Sequence, residues 1–546
     1  MENNVGTDPI RPVFSFCDEM EETASWTGDI PEIDLTEAVQ DIQADVVVIG
    51  AGLAGISAAR AAAERGAETV LIEKTEKPQG RGRDFAVIGG ALQERFGRND
   101  ISRDEVIDCL MDQSLYHAKR QIIKRWAEEC ADAFDWYISS CPELYIADQT
   151  RADIPDEYKD LFLVPARYPI PEEYDYRSEK HPVYPVTFTF PAGQGRLLPF
   201  HLQRGLETGH LTVMFSTTAV RLIQDQDGQV TGVYARGEQG GLIRFDAGSG
   251  VVLATGDYAN DPKMLKHLNP ALAARKIGTI WTGFDSRNIP TNTGDGIKMG
   301  IWAGADVQWD PAPMLPNIGS VMGNGAFLLL NKKGERFCNE ECLGDELENQ
   351  IEMQPEMVCY QLFDSKWKEQ LAYMPAAHGT KCYYSDDIPF NNPVSKNHVS
   401  EDDLQTALAS GRAFSADTID GLLNLLDIDK EKSLKSGERY SVLAEQGRDE
   451  DFNKSAKRMF PLKNPPFYAV PMRNSLILVV LGGLVSDEEC RVYDRKGDCI
   501  PHLYVAGNTQ GNRFALQYPG NLPGISHSMA LTYGRIAGEN AAGKRK

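Results

Sequence analysis

The stretch DVVVIGAGLAGISAARAAAERGAETVLIEK, residues 45–74, decides the fold. Residues 45–49 are an apolar, β-branched run, residues 53–65 are alanine-rich with helical spacing, and residues 69–73 are a second apolar run, so the segment predicts strand, glycine turn, helix and strand. Gly50, Gly52 and Gly55 fall in the turn. The first permits the tight bend, the second lets the backbone approach a pyrophosphate, and the third lets the helix pack closely. The helix start, with Leu53 and Ala54, offers unpaired amides to phosphate. Glu73 closes the second strand, where a carboxylate accepts hydrogen bonds from ribose hydroxyls and disfavours a 2′-phosphate. A dinucleotide site in a doubly wound, Rossmann-like α/β domain is the expectation.

Working outward, the 546 residues are 42% hydrophobic and 25% charged, enough to bury the cores of two or three domains. Asp and Glu number 79 against 56 Lys and Arg, and the resulting charge of −23 repels phosphate backbones and anionic membranes, so nucleic acid is not an expected partner. The apolar run at 476–485 falls well short of the ~20 residues of a membrane span and reads as a buried strand. The opening MENNVGTDPIRPVF has neither a basic start nor an apolar h-region, which makes the cytoplasm the expected compartment. Ten cysteines are scattered without haem or zinc spacing. No metal is expected, and Cys338 and Cys342 read as buried thiols.

The chain divides into an N-terminal arm at 1–43, a first part of the nucleotide-binding domain at 44–290, an inserted α+β cap at 291–464 and a second part of the nucleotide domain at 465–546. Within the first part, 103–139 reads as helical, 211–236 alternates around Asp227-Gly228 as a β-hairpin, and 251–256 is a strand returning to the first sheet. The second part re-enters with 476–485, 491–494 and the segment from Leu503 onward. There, Leu503-Tyr504-Val505-Ala506-Gly507-Asn508 runs into a glycine turn, and Gly524 opens a final helix through Ile525 and Ser526. Amides at that helix start suit a flavin pyrimidine carbonyl and stabilise negative charge on the reduced ring, which points to FAD rather than NAD.

Those two ends, with Thr293-Gly294-Asp295-Gly296, the run NKKGERFCNE at 331–340 and Leu481-Gly482-Gly483, resemble the fumarate reductase/succinate dehydrogenase flavoprotein superfamily, in matching order from Asp45 onward. The resemblance implies FAD at a domain interface with a cap closing over the substrate beside it. It also implies cofactor contacts from Lys74, Arg81, Gly82, Ala219, Val220, Thr255, Gly256, Asp295, Gly507 and Asn508. Covalently flavinylated members carry a histidine soon after the first fingerprint; here none occurs between Glu73 and His117, so noncovalent FAD is expected.

Fumarate chemistry needs cations to hold two carboxylates and an arginine to deliver the proton. By motif these fall at Gly344, near Val479 and near Asn521, all uncharged. A neutral or apolar substrate suits such a pocket. Ala506-Gly507-Asn508 and Tyr518-Pro519-Gly520 instead resemble the 3-ketosteroid dehydrogenase branch, in which that tyrosine and a nearby amide polarise the steroid 3-keto oxygen. On this chain the role falls to Tyr518, with Gly520 and Asn521 as substrate contacts and the amide within 520–524. Gly80-Arg81-Gly82-Arg83 ahead of Gly89-Gly90 also resembles flavin reductases of anaerobic gut bacteria, including bile-acid and other steroid reductases. The expected reaction is hydride exchange between flavin N5 and the carbon β to a ketone, with Tyr258 or Tyr116 handling the proton. His527, near the expected flavin end of the final helix, is a further acid–base candidate whose more usual role is packing, and Arg513 reads as a contact to FAD or an acidic substrate tail, or as a solvated surface group. With no second dinucleotide fingerprint, electrons come from or go to a separate partner. The alternatives are a reductase of another unsaturated acid, such as an aromatic acrylate or fumarate, and a flavoprotein without turnover.

Overall fold

The computed structural model describes residues 26–34, 40–147, 154–165, 174–270, 274, 279–280, 283–318, 320–375, 379–387 and 397–543. The expected arm lies largely outside these residues. Strand β1 (Gln40–Ile49), helix α1 (Leu53–Glu64) and strand β2 (Thr69–Ile72) form the predicted unit, and β1 pairs in parallel with β2. The helical region divides into α2 (Arg103–Gln113) and α3 (Arg120–Ile138), broken where Leu115 and Tyr116 take left-handed backbone at φ 48° and 62°. β3 (Leu211–Met214) joins β2 in parallel; β4 (Thr218–Gln224) and β5 (Val230–Arg236) are the expected hairpin, and β6 (Leu242–Leu253) returns alongside β1. After the cap, β10 (Arg491–Tyr493) and β11 (Cys499–Val505) complete an eight-stranded sheet through parallel pairing of β11 with β6.

The last helix, α6 (Ile525–Ala542), lies against α1. A Cβ on Gly534 would come 2.4 Å from the Ala54 carbonyl oxygen, and one on Gly538 would come 2.1 Å from that of Ala58. Small residues one turn apart on both helices therefore let the two backbones meet, and this pair supports the glycine turn from behind. α3 presents Ile122, Trp126, Cys130, Phe134 and Tyr137 to the same core at helical spacing.

The cap is built on a second, six-stranded sheet containing β7 (Leu328–Asn331), β8 (Val358–Asp364) and β9 (Phe467–Val480). Here the domain boundaries differ from expectation. β9 pairs antiparallel with β8 from Phe467 to Arg473, and with Met314–Ile318 over its second half, so it belongs to the cap sheet and not to the nucleotide domain. Conversely α4 (Asp295–Trp302) packs on β4, and Ala305 and Val307 bridge to Asp494 and Leu484, which keeps 295–307 with the nucleotide domain. An apolar run shows that a strand is buried but leaves open which sheet takes it.

The segment at 174–186 ties the two parts together. Glu179 accepts from Lys457 Nζ and Arg458 Nη1, each at 2.6 Å, and Arg458 also reaches Glu341 at 2.9 Å. Lys180 bonds Asn453, and His181 pairs with Glu346 at 3.0 Å. Among the described residues no helix is long and apolar enough to cross a membrane. Cys338 and Cys342 are buried free thiols.

Candidate functional site

The carboxyl ends of β1, β2 and β6 open on a cavity of about 730 Å³, the place where open α/β sheets hold ligands. Gly50 bends the chain at φ 104°, with no room for a side chain: a Cβ would lie 2.5 Å from Ala254 O. Gly55 is packed harder, its Cβ falling 1.7 Å from Gly50 O, and it stands outside the cavity lining. At Gly52 the nearest atom to a Cβ is Gln79 O at 3.8 Å, so the backbone there faces open space. Gly52 also caps α1 without a side-chain bond, leaving first-turn amides free beside Leu53 and Ala54, which line the cavity. Glu73 is anchored by Ala51 N at 2.7 Å and Thr75 N at 2.9 Å, and its carboxylate lines the cavity with acceptor capacity to spare. These features fit a dinucleotide: an open phosphate cradle with a fixed acceptor beside it.

The other expected cofactor residues fall in two groups. Lys74 reaches Asp295 Oδ2 at 2.7 Å, Thr255 accepts from Gly296 N at 3.1 Å, and Gly256 is tied to Thr509, so the ends of β2, β6 and β11 and the start of α4 are bound into one rim. Arg81, Gly82, Ala219, Gly507, Asn508 and Ser526 line the same cavity. Val220 does not, since it follows Ala219 on β4, where successive side chains take opposite faces. Gly524 and Ile525 also stand off the lining. Gly524 caps α6 at φ 90°, where a Cβ would strike Asp84 C at 2.3 Å, and no side chain caps the helix.

Sequence reasoning named Arg81 and Val479 but passed over Asn292, Asp257 and Leu478, which line the cavity too. Arg81 Nη2 donates to Asn292 Oδ1 at 2.8 Å, and Asn292 Nδ2 donates to Asp257 Oδ2 at 2.5 Å. Burial lowers the Arg81 guanidinium and raises the Asp257 carboxyl. Leu478 and Val479 join Ile49, Leu53, Ile72 and Met299 in the apolar part of the wall, so the position expected for a lost histidine does face the cavity. His527, expected to pack or to serve as an acid–base group, lines it too; its Nδ1 lies 3.0 Å from Asp84 O, and burial lowers its pKa. A Cβ on Gly82 would come 2.1 Å from that ring, which explains the glycine. The adjacency of Asp257 to Thr255-Gly256 was the one signal available for these residues.

The three tyrosines part company. Tyr518 is buried one residue back from the cavity: its hydroxyl stands 3.4 Å from Ser526 Oγ and also accepts from the Ser526 amide. Burial pushes this phenol up to about 12. Tyr258 is buried elsewhere, accepting from Asn269 Nδ2 at 2.8 Å, and is off the lining. Tyr116, expected to flank the pocket, is 68% exposed and bonded to Asp112, because the break between α2 and α3 turns it to solvent. Of the substrate candidates, Asn521 is buried with Nδ2 on Cys109 Sγ at 2.8 Å, and Gly520 packs on Asp345. Neither lines the cavity. Arg513 is not a surface group: it is 1% exposed, bonds Asn508 Oδ1 at 3.1 Å, and leaves Nη1 without a partner among the described residues. Burial lowers its pKa to about 10, so it stays charged at neutral pH.

Comparison with known proteins agrees with this geometry. The family model described as FAD binding domain matches residues 45–521. The chain is 25% identical to vinyl phenol reductase of Lactiplantibacillus plantarum, covering 91% of this chain and 96% of that one. It is 26% identical to the cytochrome-type fumarate reductase of Shewanella frigidimarina, covering 91% of this chain and 77% of that one. Among solved structures, 3-ketosteroid-Δ4-(5α)-dehydrogenase from Rhodococcus jostii RHA1 shares the fold with a TM-score of 0.70 at 21% identity, over 94% of this chain and all of that one.

Proposed function

Since the chain belongs to the FAD-binding-domain family and is an FAD-dependent oxidoreductase acting on CH–CH groups of unsaturated substrates, we propose that its acceptor is neutral, with the double bond conjugated to a ketone, as in a 3-ketosteroid or bile-acid-like molecule. FAD, when bound noncovalently, would supply the hydride, which carries both electrons of the exchange. Gly50, Gly52 and the α1 amides would hold its phosphates, Glu73 its ribose, and Ser526 in the first turn of α6 its ring.

The observation that carries the reading is the state of Tyr518. Its phenol is neutral at every working pH, and its contact to Ser526 Oγ at 3.4 Å is at the weak end of hydrogen bonding. The proton is therefore available to a better acceptor. A ketone oxygen gains negative charge as the conjugated double bond is reduced, and a buried hydroxyl donor stabilises that charge more than water does. The apolar side chains of Leu478 and Val479 in the cavity wall suit a substrate without carboxylates. A separate electron carrier completes the cycle.

A second reading rests on Arg513. Its unpartnered Nη1, beside the cavity residue Asn508, favours an unsaturated acid whose carboxylate would complete it. The two are separated by mixing dithionite-reduced protein anaerobically with a 3-keto-4-ene steroid, a cinnamate-type acid and fumarate. Rapid reoxidation by the steroid supports the ketone reading, and reoxidation by an acid alone refutes it.

A further inference from the structure

Arg81, Asn292 and Asp257 form a hydrogen-bonded chain in the cavity wall. Arg81 Nη2 donates to Asn292 Oδ1 at 2.8 Å, Asn292 Nδ2 donates to Asp257 Oδ2 at 2.5 Å, and all three residues line the cavity. Asn292 and Asp257 are buried, and the other oxygen of Asp257 accepts from Ala259 N at 2.9 Å, which anchors the chain in the turn after β6. Arg81 is also fixed from behind. Its carbonyl accepts from Gln194 Nε2 at 2.6 Å, that of Gly82 accepts from Gln194 N at 3.1 Å, and a Cβ on Gly80 would come 2.6 Å from Gly195 Cα. Backbone and guanidinium are both held in place.

The pairing beside Arg81 locates it. Gln79 bridges in parallel to Gly52, and its amide donates to Ala51 O at 3.0 Å, so the chain at 79 runs against the glycine turn itself. Arg81 follows two residues later, within about 7 Å along an extended backbone. Asn292 stands between the cation and the carboxylate. A direct pair would lay the guanidinium fork on Asp257 and cancel its charge. With the amide interposed, the bond to Asn292 is the only side-chain hydrogen bond of Arg81 among the described residues, and Asp257 acts on it only at a distance. The remaining N–H groups of the fork are left for a ligand in the cavity.

We infer that Arg81 is a clamp on the diphosphate of FAD, and that Asn292 and Asp257 are positioning residues that aim its guanidinium while leaving its charge uncompensated. The inference rests on FAD binding and is independent of which acceptor is reduced. The diphosphate is the anionic part of the cofactor, and the α1 amides beside Gly52 answer it with partial charges alone. A guanidinium at the edge of that cradle adds a full charge and a planar fork that matches phosphate oxygens. Asn292 is what makes this arrangement differ from a structural ion pair: it orients the arginine without occupying it.

The test uses the full chain loaded with FAD and needs no turnover. Phosphorus NMR of the bound cofactor reports on the diphosphate, and flavin fluorescence recovered on dilution reports on FAD release. In Arg81→Met the phosphorus resonances should move, and FAD should leave about 10–10²-fold faster, the loss expected of one hydrogen bond to a charged group. Arg81→Lys keeps the charge without the fork and should recover part of that loss. Asn292→Asp separates a clamp from a mere brace. It sets a carboxylate directly on Arg81, and Asp257, whose protonated form burial favours, can still bond to it. The tie between the two segments is then stronger, so a brace predicts release no faster than in the parent. A clamp neutralised in place predicts release approaching that of Arg81→Met. Parent-like phosphorus resonances in Arg81→Met, or parent-like release in Asn292→Asp, overturns the assignment. Unmoved phosphorus resonances together with slower reoxidation by an unsaturated acid would give Arg81 to a substrate carboxylate and overturn it equally. If Arg81→Met does not retain FAD through purification, Arg81→Lys and Asn292→Asp decide by the same two measurements.

Discussion

Asp345, in the first turn of α5 (Gly344–Glu352), packs on Gly520, two residues beyond Tyr518, and substitutions at Tyr518 and Asp345 remove different things. Tyr518→Phe deletes a hydroxyl whose contacts are to Ser526, and leaves the ring to pack against Phe514. The variant is expected to bind FAD normally and to lose about 10²–10³-fold in turnover, the loss typical of one oxyanion donor; flavin absorbance and reoxidation rate, measured on one sample, check both. Asp345 also leaves a mark on folding. Its folded-state pKa of about 7 exceeds the ~3.9 of an unfolded aspartate, so the native state binds the proton more tightly. The stability it lends is complete at low pH and is lost as pH rises from about 4 to about 7. Urea unfolding across that window should show a downward slope that Asp345→Asn lessens. The glycine roles at 50, 52 and 55 were legible in the sequence because each is a task of the local backbone. The exposure of Tyr116 was not, since it comes from a left-handed break at Leu115 and Tyr116 inside a stretch whose spacing reads as continuous helix.

At the level of elements, the glycine turn separates two functions that adjoin in sequence. Gly55→Ala places a methyl 1.7 Å from Gly50 O and should prevent the strand–turn–helix unit from closing, giving insoluble protein. Gly52→Val meets only Gln79 O at 3.8 Å and points its bulk at the cavity, so the variant should fold yet purify without flavin. Circular dichroism and absorbance at 450 nm, on the order of the visible flavin band used to follow cofactor electronics, distinguish the outcomes. The strands flanking this turn were readable because parallel, two-faced burial makes them continuous apolar runs. β9 was readable as a strand for the same reason, but its sheet was not: pairing is set by Val358–Asp364, a hundred residues earlier on the order of the chain spans that separate non-local strand partners.

Across the whole molecule, the contact between the cap and the nucleotide domain includes an ionic clasp. Glu179, on the segment preceding the cap, is held by both Lys457 and Arg458, which keep its carboxyl below the usual range against the effect of burial. Glu179→Ala leaves Arg458 with Glu341 alone and should lower stability by about 3 kcal/mol, read as a lower melting temperature and faster proteolysis of the cap. The clasp does not act on the cap alone. β9 begins as a pairing partner of β8 in the cap sheet and runs on to Leu478 and Val479 in the wall of the flavin cavity. One strand is thus both girder and window frame. A cap that moved as a body would carry that wall with it, so the clasp at Glu179 and the cavity wall at Leu478 and Val479 are joined mechanically through one strand.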